Sequence, residues 1–370
     1  FLLSENDNPN SMYKLGRMHE KGVIFKKNIN KVIHYYTLAA DRNHKKAQNY
    51  LGNIYYTQRN IQKAIHYYTL AADQNMVEAQ YNLGVIYFNK KFVPQDIKKS
   101  IYYYELASKQ NFPDANYNLG LIYEEGKYVP RDINKAIHYY TLASDKNHTV
   151  SHNNLGVIYN KGQYVQRDIK KAIYYYSLAA SKQYPMALFN LADIYYKNQF
   201  VPRDIEKAIN YYTLAAELHF YMAQYNLGII YLEGYFVQRD INKSIHFLSL
   251  ASDNNVPLAH RYLGDIYYSN ELVPVDINKA IHYYTLAAKQ NDSTCQYHLG
   301  DIYLSGQYVK IDAERAIYYY TLSANLGNQY AQFNLGSLYY NGENFDLKKD
   351  KFDSKKIVKK DLDLAFHYFL

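Results

Sequence analysis

The sequence predicts an all-α protein, a right-handed α-solenoid of about ten helix–turn–helix repeats of 36 residues. Three observations predict it. The twelve residues DINKAIHYYTLA stand at Asp132–Ala143 and again, letter for letter, at Asp276–Ala287. A Leu-Gly pair recurs at Leu15-Gly16, Leu51-Gly52, Leu83-Gly84, Leu119-Gly120, Leu155-Gly156, Leu227-Gly228, Leu263-Gly264, Leu299-Gly300 and Leu335-Gly336, with Leu191-Ala192 in the remaining slot. Every step is 36 except the 32 between Leu51 and Leu83, where the connector at Tyr55–Asn60 is shortened. Finally, each period holds two stretches whose apolar residues fall at i, i+4, i+7 and i+8, one face of a helix. The identical dodecamers lie four periods apart, so they mark a structural unit rather than a catalytic motif used once.

Within a period the first helix is typified by AQYNLGVIY, where Ala79, Leu83, Ile86 and Tyr87 share a face. Pro94, Pro130, Pro202 and Pro274 then keep the connector extended. Two residues later Asp96, Asp132, Asp168, Asp204, Asp240, Asp276 or Asp312 suits the N-cap of a second helix. In that helix Ala280, Tyr284, Ala287 and Ala288 repeat the same offsets. It stops at Asn43, Asn75, Asn111, Asn147, Asn255, Asn291 or Gly327, residues that tolerate the left-handed conformation. Small residues on both helices let the backbones approach, and one helix pair cannot bury its own apolar face, so the repeats must stack.

The pattern A-x-x-x-L-G-x-x-Y, a short loop, then D-x-x-K-A-x-x-Y-Y-x-x-A-A resembles the Sel-one-like repeat, a relative of the tetratricopeptide repeat. It covers residues 11–370. The family's Trp-Tyr pair is Tyr139-Tyr140 or Tyr283-Tyr284 here, and its terminal Gly is mostly Asn. The resemblance implies a scaffold or adaptor that assembles other proteins, including signalling and quality-control complexes, with no shared catalytic residues.

Composition narrows the setting. Forty-seven tyrosines and no tryptophan accompany a net charge of +8, which is spread out rather than clustered and does not favour nucleic acid or a membrane surface. One cysteine rules out an internal disulfide framework and favours a reducing, cytoplasmic compartment. A secretory location is the alternative had a leader preceding Phe1 been removed, and sequons at Asn147 and Asn291 would then be glycan sites. No apolar run is long enough to span a membrane. The end at Leu370, inside an apolar periodic stretch, suggests a piece of something longer. The whole of 1–370 reads as a single array, with a long basic loop at 341–360 inserted in the last repeat and Asp361–Phe369 as the helix after it.

Residues with reactive chemistry fall into repeat slots. His34, His66, His138, His246, His282 and His367 share a solvent-facing position of the second helix, too far apart from repeat to repeat to hold one zinc ion. His148 and His152 are spaced i, i+4, but His148 falls in a loop. Cys295 occupies a slot that is Ala in most repeats and reads as a small core residue. SMYK at Ser11–Lys14 and SDN at Ser252–Asn254 imitate two β-lactamase motifs, yet the third, K-T-G, does not occur. No phosphate loop or HExxH is found, so neither a metal nor another cofactor is expected, and no catalytic residue is assigned.

Two rows stand out. Asn82, Asn118, Asn154, Asn190, Asn226 and Asn334 directly precede Leu, and Tyr81, Tyr117, Phe189 and Tyr225, with Tyr297 and Phe333, stand one place earlier. On the expected concave face, amides can pair with a ligand backbone while rings cover its side chains. The other reading is that Asn caps local groups and the rings pack on the next repeat. The second row, Leu38, Leu70, Leu106, Leu142, Leu178, Leu214, Leu250, Leu286 and Leu322, either packs against a neighbouring repeat or forms an exposed ridge. The expected function is a non-catalytic scaffold whose partners are protein or peptide segments. The alternatives are an enzyme-linked protein with its catalytic domain elsewhere, or a basic surface for acidic partners.

Overall fold

Each second helix starts where a carboxylate or amide can satisfy an orphan backbone donor. In the computed structural model Asp96, Asp132, Asp168, Asp204, Asp240, Asp276 and Asp312 accept the N–H three residues on, at 2.9–3.1 Å. Asn28 and Asn60 do the same in the first two repeats. The helices stop at Asn43, Asn75, Asn111, Asn147, Asn255 and Asn291, with φ between 57° and 64°, and at Gly327 with φ of 82°. Repeats five and six fill this stop with Gln183 and His219, at φ of 56° and 61°. The sequence pattern did not reveal them, because neither is Asn or Gly.

The structure describes residues 8–22, 25–91, 93–341 and 359–369. Among them are twenty helices and no strand, paired into about ten helix–turn–helix repeats of roughly 36 residues, as the periodicity predicts. First helices begin at Pro9, Lys45, Val77, Pro113, Thr149, Pro185, Tyr221, Pro257, Ser293 and Gln329. The basic segment at 341–360 lies, but for its ends, outside the described residues. Beyond it Asp361 accepts the Leu364 N–H at 3.0 Å and caps the helix Leu362–Phe369.

The Leu-Gly pair marks the closest helix–helix approach. A Cβ built on Gly120 would lie 2.5 Å from ring carbons of Tyr140, and Gly84, Gly156 and Gly300 meet Tyr104, Tyr176 and Tyr320 in the same way. These rings are at most 2% exposed. Such separations are below van der Waals contact, so glycine lets the tyrosine ring lie on the backbone. Repeat seven places Leu248 over Gly228, and repeat six has Ala192 in the slot.

The core lies between repeats. Tyr104 and Ala107 of the third repeat cluster with Ala115, Leu119 and Ile122 of the fourth. Tyr140 and Ala136 of the fourth cluster with Leu155 and Ile158 of the fifth. No pair buries its face alone. The helices form two compact units, 1–187 and 188–370, and within each the main neighbours of a helix are those before and after it.

A second set of tyrosines builds the outer seam. Tyr123 stacks on Tyr139 at 5.8 Å and 8°, Tyr159 on Tyr175 at 5.9 Å and 5°. Lys135 and Lys171, three residues after the capping Asp, lie 4.8 and 5.0 Å from the outer ring. Each of these lysines also pairs with its capping aspartate, at 4.0 and 3.8 Å.

Candidate partner-binding face

The Asn and aromatic rows lie on the first helices, half-buried except for Phe333, which is 63% exposed. Five of the amides have identifiable partners inside the protein. Asn82 Nδ2 donates to Asn53 at 3.4 Å, and Asn226 and Asn334 each donate to a buried hydroxyl, of Tyr212 and Tyr320, at 3.2 Å. Asn118 interacts with the hydroxyls of Tyr81 and Tyr104, and Asn154 with that of Tyr140. Asn190 is engaged as well. The rings one place earlier lean on the same tyrosines: Tyr81 on Tyr104 at 5.9 Å, Tyr117 on Tyr140 at 6.1 Å, Phe189 on Tyr212 at 5.7 Å. Tyr225 lies 6.3 Å from Tyr262, and burial together with that neighbour pushes its hydroxyl up to about 12.

Between successive first helices the face opens into clefts. One, of about 470 Å³, is lined by Tyr81, Val85, Phe88, Tyr104, Asn118 and Leu121, among others. Another, of about 410 Å³, lies among Phe189, Asp193, Tyr212, Tyr225 and Asn226. A third, of about 340 Å³, is bounded by Asp301, Leu304, Tyr320, Phe333, Asn334 and Leu338. All three share a buried tyrosine as floor and an asparagine beside it, and the flanking aromatic residue is Tyr81 or Phe189 of the preceding repeat in the first two and Phe333, next to Asn334, in the third.

One feature escaped sequence reasoning. The buried tyrosines donate to acidic or amide groups on the first helix: Tyr36 to Glu20, Tyr140 to Glu124, Tyr68 to Asn53, Tyr212 to Asp193, Tyr284 to Asp265 and Tyr320 to Asp301, at 2.5–2.8 Å. Burial pushes these hydroxyls well above the ordinary tyrosine range, with the adjoining carboxylates adding to it where present, so they remain donors. Burial also raises the Asp265 carboxyl. The signal was present as an acid or amide one or four residues after Gly (or after Ala192), in register with the tyrosine that follows.

The remaining candidates sit in structural roles. The six-histidine row is exposed, each ring edge-on to the next aromatic residue, as His138 to Tyr139 at 5.3 Å. Among the described residues no cluster of three metal-ligating side chains exists. His148 accepts the Ser151 N–H as a helix cap, while His152 donates to the Ser144 carbonyl at 3.1 Å. Cys295 is fully buried, and burial beside Asp292 pushes its thiol far up. Ser252 is buried against His260 at 2.8 Å, and Ser11 is half-buried. The leucine row is half-buried except for Leu70 and Leu214, which are 36% and 40% exposed. Among the described residues no helix is long and apolar enough to cross a membrane.

Comparison with protein families identifies the Sel1 repeat in consecutive segments from 9–44 through 329–356 and 351–370. The chain belongs to the Sel1 repeat family. A crystal structure of a protective antigen present in uropathogenic Escherichia coli strains, displaying an SLR fold, is 26% identical. It matches 99% of this chain and 76% of its own length with a TM-score of 0.77. A Sel1 repeat protein from Oxalobacter formigenes is 29% identical over 83% of this chain and 90% of its own, with a TM-score of 0.68. None of the curated proteins matches. Sel1 repeats typically mediate protein interactions and are generally non-catalytic.

Proposed function

We propose that this Sel1 repeat protein is a non-catalytic adaptor that holds an extended segment of a partner protein along the first-helix face. The observation that carries this reading is the recurrence of one cleft, with one construction, between successive first helices. An extended chain presents side chains and peptide groups at regular intervals, and a repeat protein presents receptors for them at regular intervals. The asparagines support it: an amide with two N–H donors and a carbonyl retains hydrogen-bonding capacity after meeting one or two internal groups. The rings of Tyr81, Tyr117, Phe189 and Tyr225 supply apolar area at modest entropic cost.

The test is selection of peptides from a displayed random library, followed by binding to Asn226→Ala/Asn334→Ala. Tyr212 and Tyr320 keep their bonds to Asp193 and Asp301 in that variant, so the fold is retained. Loss of two hydrogen bonds to ligand should weaken binding about tenfold with little change in melting temperature. Unaltered binding, together with its loss on substituting Leu142 and Leu178, would move the site to the leucine row.

A further inference from the structure

The residue after Gly varies along the first-helix face in a way the fold does not require. It is Val85, Leu121, Val157 and Ile229 in four repeats but Asp193, Asp265 and Asp301 in three others. Tyr104, in a repeat with valine there, is as buried as the tyrosines that meet a carboxylate. A carboxylate is therefore not needed to bury the ring. Asp193 pairs with Lys197, and Asp265, which the Tyr284 hydroxyl reaches at 2.8 Å, also feels the nearby Arg261, whose guanidinium pairs with Asp292. Asp301 is different. Its identified partners are neutral donors: the Tyr320 hydroxyl at 2.5 Å, Asn334 Nδ2 at 3.4 Å, and the hydroxyl of Tyr297, which burial and Asp301 push up to about 12.

Asp301 lies in the 340 Å³ cleft, whose walls include Leu304, Phe333 and Leu338. Apolar walls leading to a hydrogen-bonded carboxylate match one side-chain design, an aliphatic stem ending in a cation. We infer that this cleft receives a lysine or arginine side chain of the partner segment, with its methylenes against Leu304, Phe333 and Leu338 and its charged head on Asp301. The inference rests on the peptide-binding reading above and adds the chemistry of the occupant. Because the protein carries a net charge of +8, bulk attraction does not favour basic peptides, and a preference for them must come from a local site.

The test uses an array of nonapeptides in a Ser/Leu/Asn background, with the central residue varied through all amino acids and acetyl-lysine, probed with the labelled full chain and with Asp301→Asn. That variant is conformationally safe, since Asn53 fills the equivalent position and accepts the Tyr68 hydroxyl at 2.7 Å. Peptides with central Lys or Arg should bind about tenfold better than those with Leu or acetyl-lysine. Asp301→Asn should abolish that preference and leave the other peptides unaffected. Peptide binding without a basic preference, or a preference that survives Asp301→Asn, overturns the inference but not the proposed function. If no peptide binds the unaltered protein, both fail.

Discussion

His152 and His260 occupy a slot that glutamine fills in five other repeats. Gln48, Gln80, Gln224, Gln296 and Gln332 each donate from Nε2 to the carbonyl eight residues earlier, at 3.1–3.4 Å. His152 reproduces that bond with Ser144, whereas His260 meets the Ser252 hydroxyl. Burial pushes both imidazoles below the ordinary histidine range. Lys182 reinforces this at His152, against the Ser144 carbonyl and Asp145, and His282 does so at His260, against Asp253. A depressed folded pKa means that the unfolded chain binds more protons as the pH falls. The stability these residues contribute is therefore complete above about 6.5, the unfolded value, and is lost as the pH falls through the depressed folded values. His152→Gln/His260→Gln should match the parent near neutral pH and lose less stability on acidification, as read from urea midpoints at several pH values. His44 and His148 are lowered as well and remain, so the flattening should be partial. A pH dependence identical to the parent's would show that neither buried ring titrates as described.

At the scale of the helix, starts and stops were the most legible part of the sequence. Each capping Asp and each Asn stop is a local device whose residue type follows from one backbone donor or one left-handed φ. What was not legible depends on residues far apart in sequence. The carboxylate partners of Tyr140 and Tyr284 stand 16 and 19 positions upstream. The closeness of Gly120 to the Tyr140 ring emerges only when the two helices are in place. For the candidate site, the sequence located the rows but not the internal partners of the amides, nor the difference between apolar and acidic clefts. The stops at Gln183 and His219 were hidden because backbone bonds, from Gln183 and Tyr184 to the Ala180 and Ala179 carbonyls and from His219 and Phe220 to those of Ala216 and Ala215, hold the left-handed turn without the residue types that signal it. That conformation costs a non-glycine residue roughly 1 kcal/mol, and Asn less. Gln183→Asn should therefore stabilise the protein by about 0.5–1 kcal/mol, measured by urea denaturation. A neutral or destabilising result would mean that the Gln183 side chain contributes more than its exposure suggests.

Over the whole molecule the consequence of a core built between repeats is modularity. Deleting 113–148, one full repeat, would bring the helix Ile97–Lys109 against Thr149–Lys161. Ser151, Leu155 and Ile158 would then take the places of Ala115, Leu119 and Ile122 beside Tyr104, so the new interface keeps its leucine and isoleucine and a small residue. It loses the His148 ring that meets the Ser151 hydroxyl at 2.9 Å, whereas Tyr117 leaves together with Tyr140 and His148, the rings it leans on. The shortened chain should fold, with helical circular dichroism per residue close to the parent's and a lower urea midpoint from the poorer junction. Deleting only 113–130 is the contrasting case. It removes a first helix and leaves two second helices adjacent, with Tyr104 deprived of the Gly-bearing neighbour cluster at Leu119 and Ile122 and Tyr140 deprived of Gly120. That variant should lose cooperative unfolding. If both deletions behave alike, the repeat is not the unit of stability, and the period of 36 reflects the history of the sequence rather than its energetics.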